Sequence, residues 1–374
     1  MLISLNQLFN SLNLNNGFLR LMLLLNLAPL FIGCGSKKNT DLRLNDIQIV
    51  GSHNSYKKAI DPGLMELLYR EDSSLAITLE YEHLPIKEQL DLGMRNLEID
   101  IFHDPKGGRY SNPLGLLAIE NASPYDTKIM NKPGMKVFHV QDIDFRSHYY
   151  LFTEALLEIK KWSDNHPDHI PIIITMNLKD EVIDRLGFTS PLPFSMDALD
   201  SVDNEILSVI DWDKLIYPDL IKSTYPTLEE AILANGWPLI TDVRGKLLFA
   251  LDAGESMNNL YIKGHSSLAG RVMFINSKEG TPEAAFMILN NPFVSFGKIQ
   301  ELVKKGYMVR TRSDANTIEA RNNDYSRWQK ALESGAQVIT TDYYVPSNLF
   351  ESKYFVGFKA DTIYRLNPVR LKNE

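Results

Sequence analysis

Short runs of apolar residues recur along the chain, and segments whose apolar residues follow helical spacing separate them. Several runs are continuous stretches of Ile, Val, Leu and Phe, which is typical of parallel strands buried on both faces. The runs predict eight strands, at Asp46–Val50, Asn96–Phe102, Lys136–Val140, Ile170–Leu178, Lys246–Leu251, Arg271–Ile275, Tyr307–Arg310 and Ala336–Thr340. The intervening segments predict helices at Leu84–Leu92, Tyr149–Trp162, Thr281–Leu289, Phe296–Lys305 and Thr317–Glu333. Strands and helices in this alternation predict an α/β protein with a single (β/α)8 barrel of the TIM type.

The connection between the fourth and fifth predicted strands is longer than an ordinary loop. It covers Asp180–Arg244 and contains helical patterns near Met196–Ile210 and Leu228–Asn235. We therefore expect a partly helical insertion at about residues 180–245, inside a barrel domain that spans residues 45–374.

Composition excludes several classes of protein. The chain has 374 residues, 44% hydrophobic and 23% charged, which allows a sizeable core and excludes a disordered or fibrous protein. Its 47 acidic and 39 basic residues give a net charge of −8 without any basic run, so no nucleic-acid partner is expected. A single cysteine excludes an intrachain disulfide, a zinc finger and an iron–sulfur site.

The N-terminus has the pattern of a targeting segment. The first 33 residues contain twelve leucines, no acidic residue and one cation, Arg20. The apolar stretch Leu21–Ile32 has the length of a signal-peptide core and is too short to span a bilayer comfortably. A glycine then precedes Cys34, the only cysteine, as in a bacterial lipoprotein cleavage site. We expect a signal peptide at 1–33, acylation of Cys34 and a tether at 34–44; the alternative is a secretory signal with an incidental cysteine.

An acylated Cys34 predicts a lipoprotein of the cell envelope. We expect the protein to be anchored by lipid at the outer membrane, on its periplasmic or cell-surface face.

Two carboxylates fall on one predicted strand. Glu98 and Asp100 are two residues apart and therefore share a face, while Leu97, Ile99 and Ile101 take the other. Carboxylates that point into a barrel interior repel each other unless a cation compensates, and Asp, Glu and Asn oxygens suit Ca²⁺ or Mg²⁺. The alternative is a pair that is solvated at the rim or bound to arginine.

His53 and His139 each end a predicted strand, at the end of the barrel where active sites lie. Two imidazoles that face one substrate can divide the work, one accepting a proton and the other donating one. A lone histidine of this kind is more often structural, but a pair beside the Glu98/Asp100 strand favours a catalytic function. We expect the other six histidines to be solvated or structural.

These residues resemble the phosphatidylinositol-specific phospholipase C superfamily, and most closely its bacterial calcium-dependent branch. The resemblance lies in Gly51-Ser52-His53-Asn54-Ser55, Glu98-x-Asp100, Phe138-His139, Val309–Asp314, Gln337–Tyr344 and Tyr364–Val369, in order over nearly the whole chain. It implies a distorted TIM barrel, a Ca²⁺ ion and attack of an inositol hydroxyl on the phosphodiester. The products would be diacylglycerol and an inositol phosphate.

The resemblance also implies residue roles. It assigns metal binding to Asn54, Glu98 and Asp100, and catalysis to His53 and His139. Asn177 stands where the better-studied enzymes have a glutamate ligand, and its amide oxygen can bind Ca²⁺ without contributing charge. Lys179 lies two residues further on the same strand face. It is either a contact to the substrate phosphate or an ordinary lysine at the rim.

Arg310 and Arg312 share one face of the seventh predicted strand. Guanidinium groups bind phosphate or vicinal hydroxyls in a fork, so both residues are candidates for substrate binding. A salt bridge to Asp314 or Asp342 is an equally good interpretation.

Two alternative functions remain at this point. A glycerophosphodiesterase on the same barrel would also use two histidines and a Glu-x-Asp pair, but those enzymes typically continue His-Arg-Gly where this chain has His53-Asn54-Ser55. The second alternative is a surface lipoprotein that binds a headgroup without cleaving it, and Asn177 is the one feature that favours it. We expect a monomer whose substrate is a phospholipid at a membrane surface.

Overall fold

The computed structural model describes residues 41–359 and 362–371. The strands are β1 (Ile47–Ser52), β2 (Asn96–Ile101), β3 (Ile172–Leu178), β4 (Leu215–Ile216), β5 (Leu247–Asp252), β6 (Phe274–Ile275), β7 (Phe286–Ile288), β8 (Met308–Arg312), β9 (Val338–Thr341) and β10 (Tyr364–Leu366). The helices are α1 (Pro62–Glu71), α2 (Ser73–Leu79), α3 (Ile86–Asp91), α4 (Leu114–Leu117), α5 (Thr127–Met130), α6 (Phe152–Asn165), α7 (Met196–Val209), α8 (Pro218–Lys222), α9 (Leu228–Asn235), α10 (Glu255–Ile262), α11 (Phe296–Lys305), α12 (Ile318–Asn322) and α13 (Ser326–Ser334).

Eight parallel strands form a ring. Parallel pairing runs from β9 through β1, β2, β3 and β5 to β6, and separately from β7 through β8 to β9. A single parallel bridge between Asn276 and Phe286 joins β6 to β7 and completes the ring. The predicted barrel of the α/β class is therefore confirmed. The short β4 pairs in parallel with the start of β5, and β10 lies antiparallel against the start of β1.

The strand faces follow from the sequence pattern. Leu97, Ile99 and Ile101 of β2 are completely buried in the main hydrophobic core. Since side chains alternate across a strand, Glu98 and Asp100 take the opposite face. At Gly51 a side chain would lie 2.4 Å from the backbone of Asn96, so only glycine permits the pairing of β1 with β2.

The ring contains eight strands, as predicted, but one of its members differs from the prediction. Lys136–Val140 forms only isolated antiparallel bridges, from Lys136 to Phe102 and Leu151 and from Val140 to Asp144, and β3 pairs directly with β2. Conversely, Thr281–Leu289 is not a helix, because β7 lies within it. Lys136–Val140 could be taken for a strand because a buried loop and a buried strand have the same apolar pattern. The four consecutive buried apolar residues at 284–287 suit a strand that is enclosed on both faces.

Most predicted helices are present. The segment predicted as an insertion contains α7 and α9 at the two places where the sequence has helical patterns. The predicted helix Thr317–Glu333 is instead divided into α12 and α13, because Asn323 adopts a left-handed conformation with a φ of 51°.

The packed part of the chain begins earlier than predicted. Leu42 and Leu44, which the sequence assigns to the tether, are buried in the core. The predicted signal peptide and Cys34 lie outside the described residues. Within the described part of the chain, no helix is long and apolar enough to cross a membrane.

Candidate active site

A cavity of about 310 Å³ opens at the carboxyl ends of the barrel strands. Its wall is formed by His53, Asn54, Thr78, Leu79, Tyr81, Asp100, His139, Asn177, Lys179, Arg312, Asn316 and Asp342. The fold thus brings seven of the predicted site residues together, although they are spread over most of the chain.

Size alone does not identify the site. A larger cavity of about 530 Å³ lies between α10 and α11, and its wall contains no histidine or arginine. Its Glu255 and Glu279 are paired with Lys278 and Lys298. The smaller cavity is the one whose wall contains both His53 and His139.

His53 is held by a carboxylate that the sequence prediction did not assign to it. Its Nδ1 atom lies 2.8 Å from Oδ1 of Asp342, and the other oxygen of Asp342 accepts a hydrogen bond of 2.9 Å from Arg312. Burial opposes ionisation of Asp342, but the charges of His53 and Arg312 hold its pKa well below its usual range. The carboxylate therefore fixes the proton on Nδ1 and leaves Nε2 as an acceptor.

His139 has a second carboxylate of the same kind. Its Nδ1 lies 2.7 Å from Oδ2 of Asp144, a residue in the same loop. The opposite oxygen, Oδ1, lies 3.3 Å from Nζ of Lys57, and both Asp144 and Lys57 are completely buried. The Nε2 atom of His139 is then the ring nitrogen available to a substrate.

Tyr81 lies between the two histidines. Its ring centroid is 6.2 Å from that of His53 and 6.3 Å from that of His139. Its hydroxyl accepts a hydrogen bond of 2.7 Å from Nδ2 of Asn54. Because burial raises the pKa of Tyr81 well above its ordinary value, the hydroxyl keeps its proton and acts as a spacer and an orienting group.

Comparison with protein families identifies the chain. The model for the family described as phosphoinositide phospholipase C, Ca²⁺-dependent, matches residues 42–368. The chain belongs to this family. It is therefore a phosphodiesterase of the phospholipase C type, and its cofactor is Ca²⁺.

Solved structures of the same family share the fold. The calcium-dependent phosphoinositol-specific phospholipase C from the Gram-negative bacterium Pseudomonas sp. is 17% identical, with a TM-score of 0.50 over 81% of this chain and 91% of the other. The calcium-dependent phosphatidylinositol-specific phospholipase C from Streptomyces antibioticus is also 17% identical, with a TM-score of 0.51 over 81% of this chain and 95% of the other. No curated protein matches in sequence.

The cavity offers oxygen atoms that fit the calcium ion of this phospholipase C family. With Nδ2 of Asn54 bound to Tyr81, the buried Oδ1 of Asn54 has no hydrogen-bond partner among the described residues. Neither carboxylate oxygen of Asp100 has a well-aligned hydrogen bond among the described residues, although the ammonium group of Lys179 forms an ion pair with Oδ2. Asn177 is the register partner of Asp100 on β3 and lines the same wall. Within 41–359 and 362–371, no three His, Cys, Asp or Glu side chains are grouped so that they could hold a metal ion. A calcium site here therefore depends on the amide oxygens of Asn54 and Asn177 as well as on Asp100.

Two predicted site residues of the phospholipase C lie outside the cavity wall. The carboxylate of Glu98 is buried and bound to Arg310, and its Oε1 lies 3.6 Å from Nε2 of His53. Burial would raise the pKa of Glu98, but the neighbouring Arg310 holds it below its ordinary value. Arg310 also donates to Asp252 at 3.0 Å and is almost completely buried. The structure therefore places Arg310 in ion pairs inside the barrel, and not where the sequence predicts a substrate contact.

Lys179 and Arg312 do line the cavity, each beside a carboxylate. The Nζ atom of Lys179 lies 3.3 Å from Oδ2 of Asp100. Arg312 binds Asp342, which is one of the two pairings that the sequence left open, and its Nη1 lies 3.1 Å from Nε2 of His53.

Asp252 adds a further carboxylate that sequence reasoning missed. In the strand register it is the neighbour of Asn177, which in turn is the neighbour of Asp100. Burial raises the pKa of Asp252, and the charges of Glu98 and Asp100 raise it further, whereas Arg310 opposes them. Asn177 itself contributes no charge, but the carboxylate of Asp252 lies next to it on β5.

Asp144, Asp342, Lys57 and Tyr81 were also missed as site residues. Two of them carried a usable signal, because Asp342 comes two residues after the last predicted strand and Asp144 comes five residues after His139. Lys57 and Tyr81 carried no such signal in the sequence, since each lies in a loop and the conformation of that loop decides whether its side chain is buried at the site.

Proposed function

We propose that the chain cleaves phosphatidylinositol, or a closely related inositol phosphodiester, between phosphate and glycerol. The observation that carries the proposal is the pair of His–Asp dyads, His53–Asp342 and His139–Asp144, in the wall of one cavity. The similar Pseudomonas enzyme is described as a myoinositol complex, which supports an inositol headgroup as the ligand.

His53 is the general base in this proposal. Because Asp342 holds the proton on Nδ1, Nε2 accepts the proton of the attacking inositol hydroxyl once Arg312, which donates to Nε2 at 3.1 Å, turns to the substrate phosphate. The hydroxyl oxygen then forms a bond to phosphorus. Asp342 and Glu98 stabilise the imidazolium that results, since their carboxylates lie 2.8 and 3.6 Å from its two nitrogens.

His139 is the general acid. Its Nε2 donates a proton to the glycerol oxygen as the bond between that oxygen and phosphorus breaks, and diacylglycerol leaves as a neutral alcohol. The second product is an inositol phosphate. One proton is accepted and one donated in each cycle, so the protein returns to its charge once the histidines exchange protons with water. Asp144 keeps His139 protonated at Nδ1 throughout.

The developing negative charge on the phosphate meets cations on the cavity wall. Arg312 and Lys179 supply two of them, and guanidinium and ammonium groups both bind phosphate oxygens. Asn54, Asp100 and Asn177 would hold Ca²⁺, which when bound neutralises phosphate charge and lowers the pKa of a hydroxyl.

Phosphodiesterase activity on phosphatidylinositol vesicles, with and without a calcium chelator, tests the function. We expect cleavage that the chelator abolishes, with diacylglycerol and an inositol phosphate as products. Cleavage of deacylated glycerophosphodiesters in preference to the lipid would instead indicate a glycerophosphodiesterase. Binding of inositol phosphates without turnover of any ester would indicate a headgroup-binding lipoprotein.

We propose in addition that the protein acts at the cell envelope as a lipid-anchored monomer. The support is the sequence around Cys34. An anchor keeps the enzyme near a phospholipid surface, where its substrate is concentrated.

A further inference from the structure

Asp314 is a buried carboxylate that the proposed mechanism does not use. It lies two residues after the end of β8, and its side chain is completely buried. Its Oδ1 accepts a hydrogen bond of 2.8 Å from the backbone amide of Asp342. Its Oδ2 accepts hydrogen bonds from the hydroxyls of Thr341 and Ser313, and the hydroxyl of Tyr354 lies 3.4 Å away. All four groups are neutral, so hydrogen bonds and not a salt bridge hold this carboxylate in the described part of the chain.

The contacts of Asp314 converge on the backbone that carries the His53–Asp342 dyad. The hydroxyl of Thr341 donates to Asp314 and accepts a hydrogen bond of 2.8 Å from the amide of Tyr343. The carbonyl of Thr341 accepts a hydrogen bond of 3.0 Å from the amide of His53. The side chain of Asp314 therefore fixes the backbone on both sides of Asp342. Through Thr341 it also reaches the backbone of His53.

The main chain of Asp314 holds the second group that contacts His53. Its carbonyl accepts a hydrogen bond of 3.0 Å from Nε of Arg312, and Nη1 of the same arginine lies 3.1 Å from Nε2 of His53. Asp342 lies 2.8 Å from the other ring nitrogen, Nδ1. One residue thus anchors the neighbours of both nitrogens of the imidazole.

Burial of Asp314 has a cost in free energy. The loss of water around the carboxylate and the charge of Asp342 raise the pKa of Asp314 to about 6. An apolar side chain at this position would avoid the cost of a buried charge. It could not accept hydrogen bonds, however, and a fully bonded polar network is what fixes one arrangement of the surrounding backbone. The carboxylate is therefore better explained by the geometry that it imposes than by the stability of the fold.

We propose that Asp314 is a positioning residue for the phosphodiester cleavage and holds Asp342 and Arg312 in place around His53. The proposal rests on the proposed function, because it takes His53 as the base. Asp314 itself is not part of the cavity wall, so it acts only through its neighbours. A displacement of about 1 Å in an active site can lower turnover on the order of 10²-fold, even when the substituted residue lies away from the chemistry.

Two substitutions of Asp314 separate its geometry from its charge. Asp314→Ala removes the acceptors and should lower kcat on phosphatidylinositol on the order of 10²-fold, with little change in KM. Asp314→Asn keeps an acceptor for the amide of Asp342. Its own amide nitrogen can donate to the hydroxyls of Thr341 and Ser313, so most of the turnover should remain. An equal loss in the two variants would overturn the positioning role.

A matched control distinguishes a displaced dyad from a destabilised fold. Asp203 on α7 is also buried, burial raises its pKa to about 6, and it accepts hydrogen bonds from Tyr261 and Arg271. Asp203→Ala should lower the melting temperature and leave the kcat of the folded protein unchanged. A fall in kcat as large as that of Asp314→Ala would contradict the proposal.

A milder variant covers the case in which Asp314→Ala does not fold. Thr341→Val keeps the shape of the side chain and removes the hydroxyl that joins Asp314 to the amide of Tyr343. Its kcat should fall as well, by less than that of Asp314→Ala. An unchanged kcat in Thr341→Val would overturn the proposal.

Proton NMR of the full chain follows the two dyads independently of catalysis. The Nδ1 proton that a histidine shares with a carboxylate resonates far downfield, so each dyad should give one such signal. The signal that His53→Ala removes belongs to His53. Asp314→Ala should shift or remove that signal and leave the signal of His139 in place, whereas Asp203→Ala should change neither. An unchanged His53 signal in Asp314→Ala would refute the positioning role.

The two measurements separate this inference from the proposed function. An unaltered protein without phosphodiesterase activity would contradict the proposed function, and the NMR signals would still show whether Asp314 positions the dyad. Activity of the unaltered protein together with full turnover in Asp314→Ala would overturn the positioning role alone.

Discussion

The Nζ atom of Lys57 lies 3.3 Å from Oδ1 of Asp144, and neither side chain is exposed. Lys57 also donates to the backbone carbonyls of Leu79 and Tyr81, two residues of the cavity wall. The lysine thus joins the His139–Asp144 dyad to the segment that carries Tyr81. A buried carboxylate without a cation nearby carries a large cost in free energy, and the ammonium group of Lys57 compensates the charge of Asp144.

Lys57→Met should therefore lower both stability and turnover. Loss of one partner of a buried ion pair costs about 3–5 kcal/mol in the free energy of unfolding. Lys57→Met with Asp144→Asn should regain part of that stability, because no charge is left alone, but turnover should stay low. Thermal unfolding and kcat of the three variants check this. If the double variant recovers activity along with stability, the dyad is structural.

The two histidines should differ in their response to the leaving group. General acid catalysis contributes roughly 10²–10⁴-fold, so His139→Ala should lose about that much on phosphatidylinositol. With an inositol phosphate ester of an acidic phenol, whose oxygen leaves without a proton, most of the loss should disappear. His53→Ala should be defective on both substrates. Equal defects of His139→Ala on both esters would refute its role as the acid.

The carboxylates around Asn177 should set the affinity for calcium. We expect Asp100→Asn to weaken Ca²⁺ binding most, because Asp100 contributes a negatively charged carboxylate to the cavity wall beside the neutral amides of Asn54 and Asn177. Lys179→Met should tighten binding, since the ammonium group 3.3 Å from Asp100 repels a cation. Isothermal titration with Ca²⁺ measures both effects without reference to activity.

Asp252 provides a further test at the same site. If its carboxylate compensates for the neutral Asn177, Asp252→Asn should weaken Ca²⁺ binding and Asn177→Asp should restore it in the double variant. Unchanged affinity in Asp252→Asn would show that its only role is the ion pair with Arg310.

His169 should make a contribution to stability that is lost below neutral pH. Burial lowers the pKa of this histidine from 6.5 to about 4, and its ring is hydrogen-bonded to Ser163 and to the carbonyl of Ile170. The unfolded chain takes up a proton as the pH falls through 6.5, whereas the folded protein does so only near 4. The contribution of His169 to the free energy of unfolding should therefore drop by up to about 3 kcal/mol between these pH values. His169→Gln should flatten the dependence of the melting temperature on pH in that window, and an unchanged slope would contradict the assignment.

Cys34→Ser should release the protein from the membrane fraction, because it removes the only thiol that can be acylated. Fractionation of cells and mass spectrometry of the mature N-terminus measure this. A mature chain that begins elsewhere, or membrane retention equal to that of the unaltered protein, would rule out the anchor.

The sequence by itself determined the barrel and most of the cavity wall. Parallel strands buried on both faces are continuous apolar runs, and their carboxyl ends must meet at one end of the barrel. For that reason His53, Asp100 and Asn177 could be assigned to one site from their positions after such runs, or within them. The same local pattern misplaced β7 and Lys136–Val140, since it reports burial and not hydrogen-bond partners.

Only the tertiary structure decided how the charges are paired. Arg310 and Arg312 are equivalent in sequence, yet Arg310 binds the buried Glu98 and Arg312 binds Asp342 beside His53. Lys57 reaches Asp144 across 87 residues of chain. Ion pairs depend on distances of a few ångströms between side chains on different elements, and loop conformation sets those distances. The strand pattern that specifies the barrel carries no information about them.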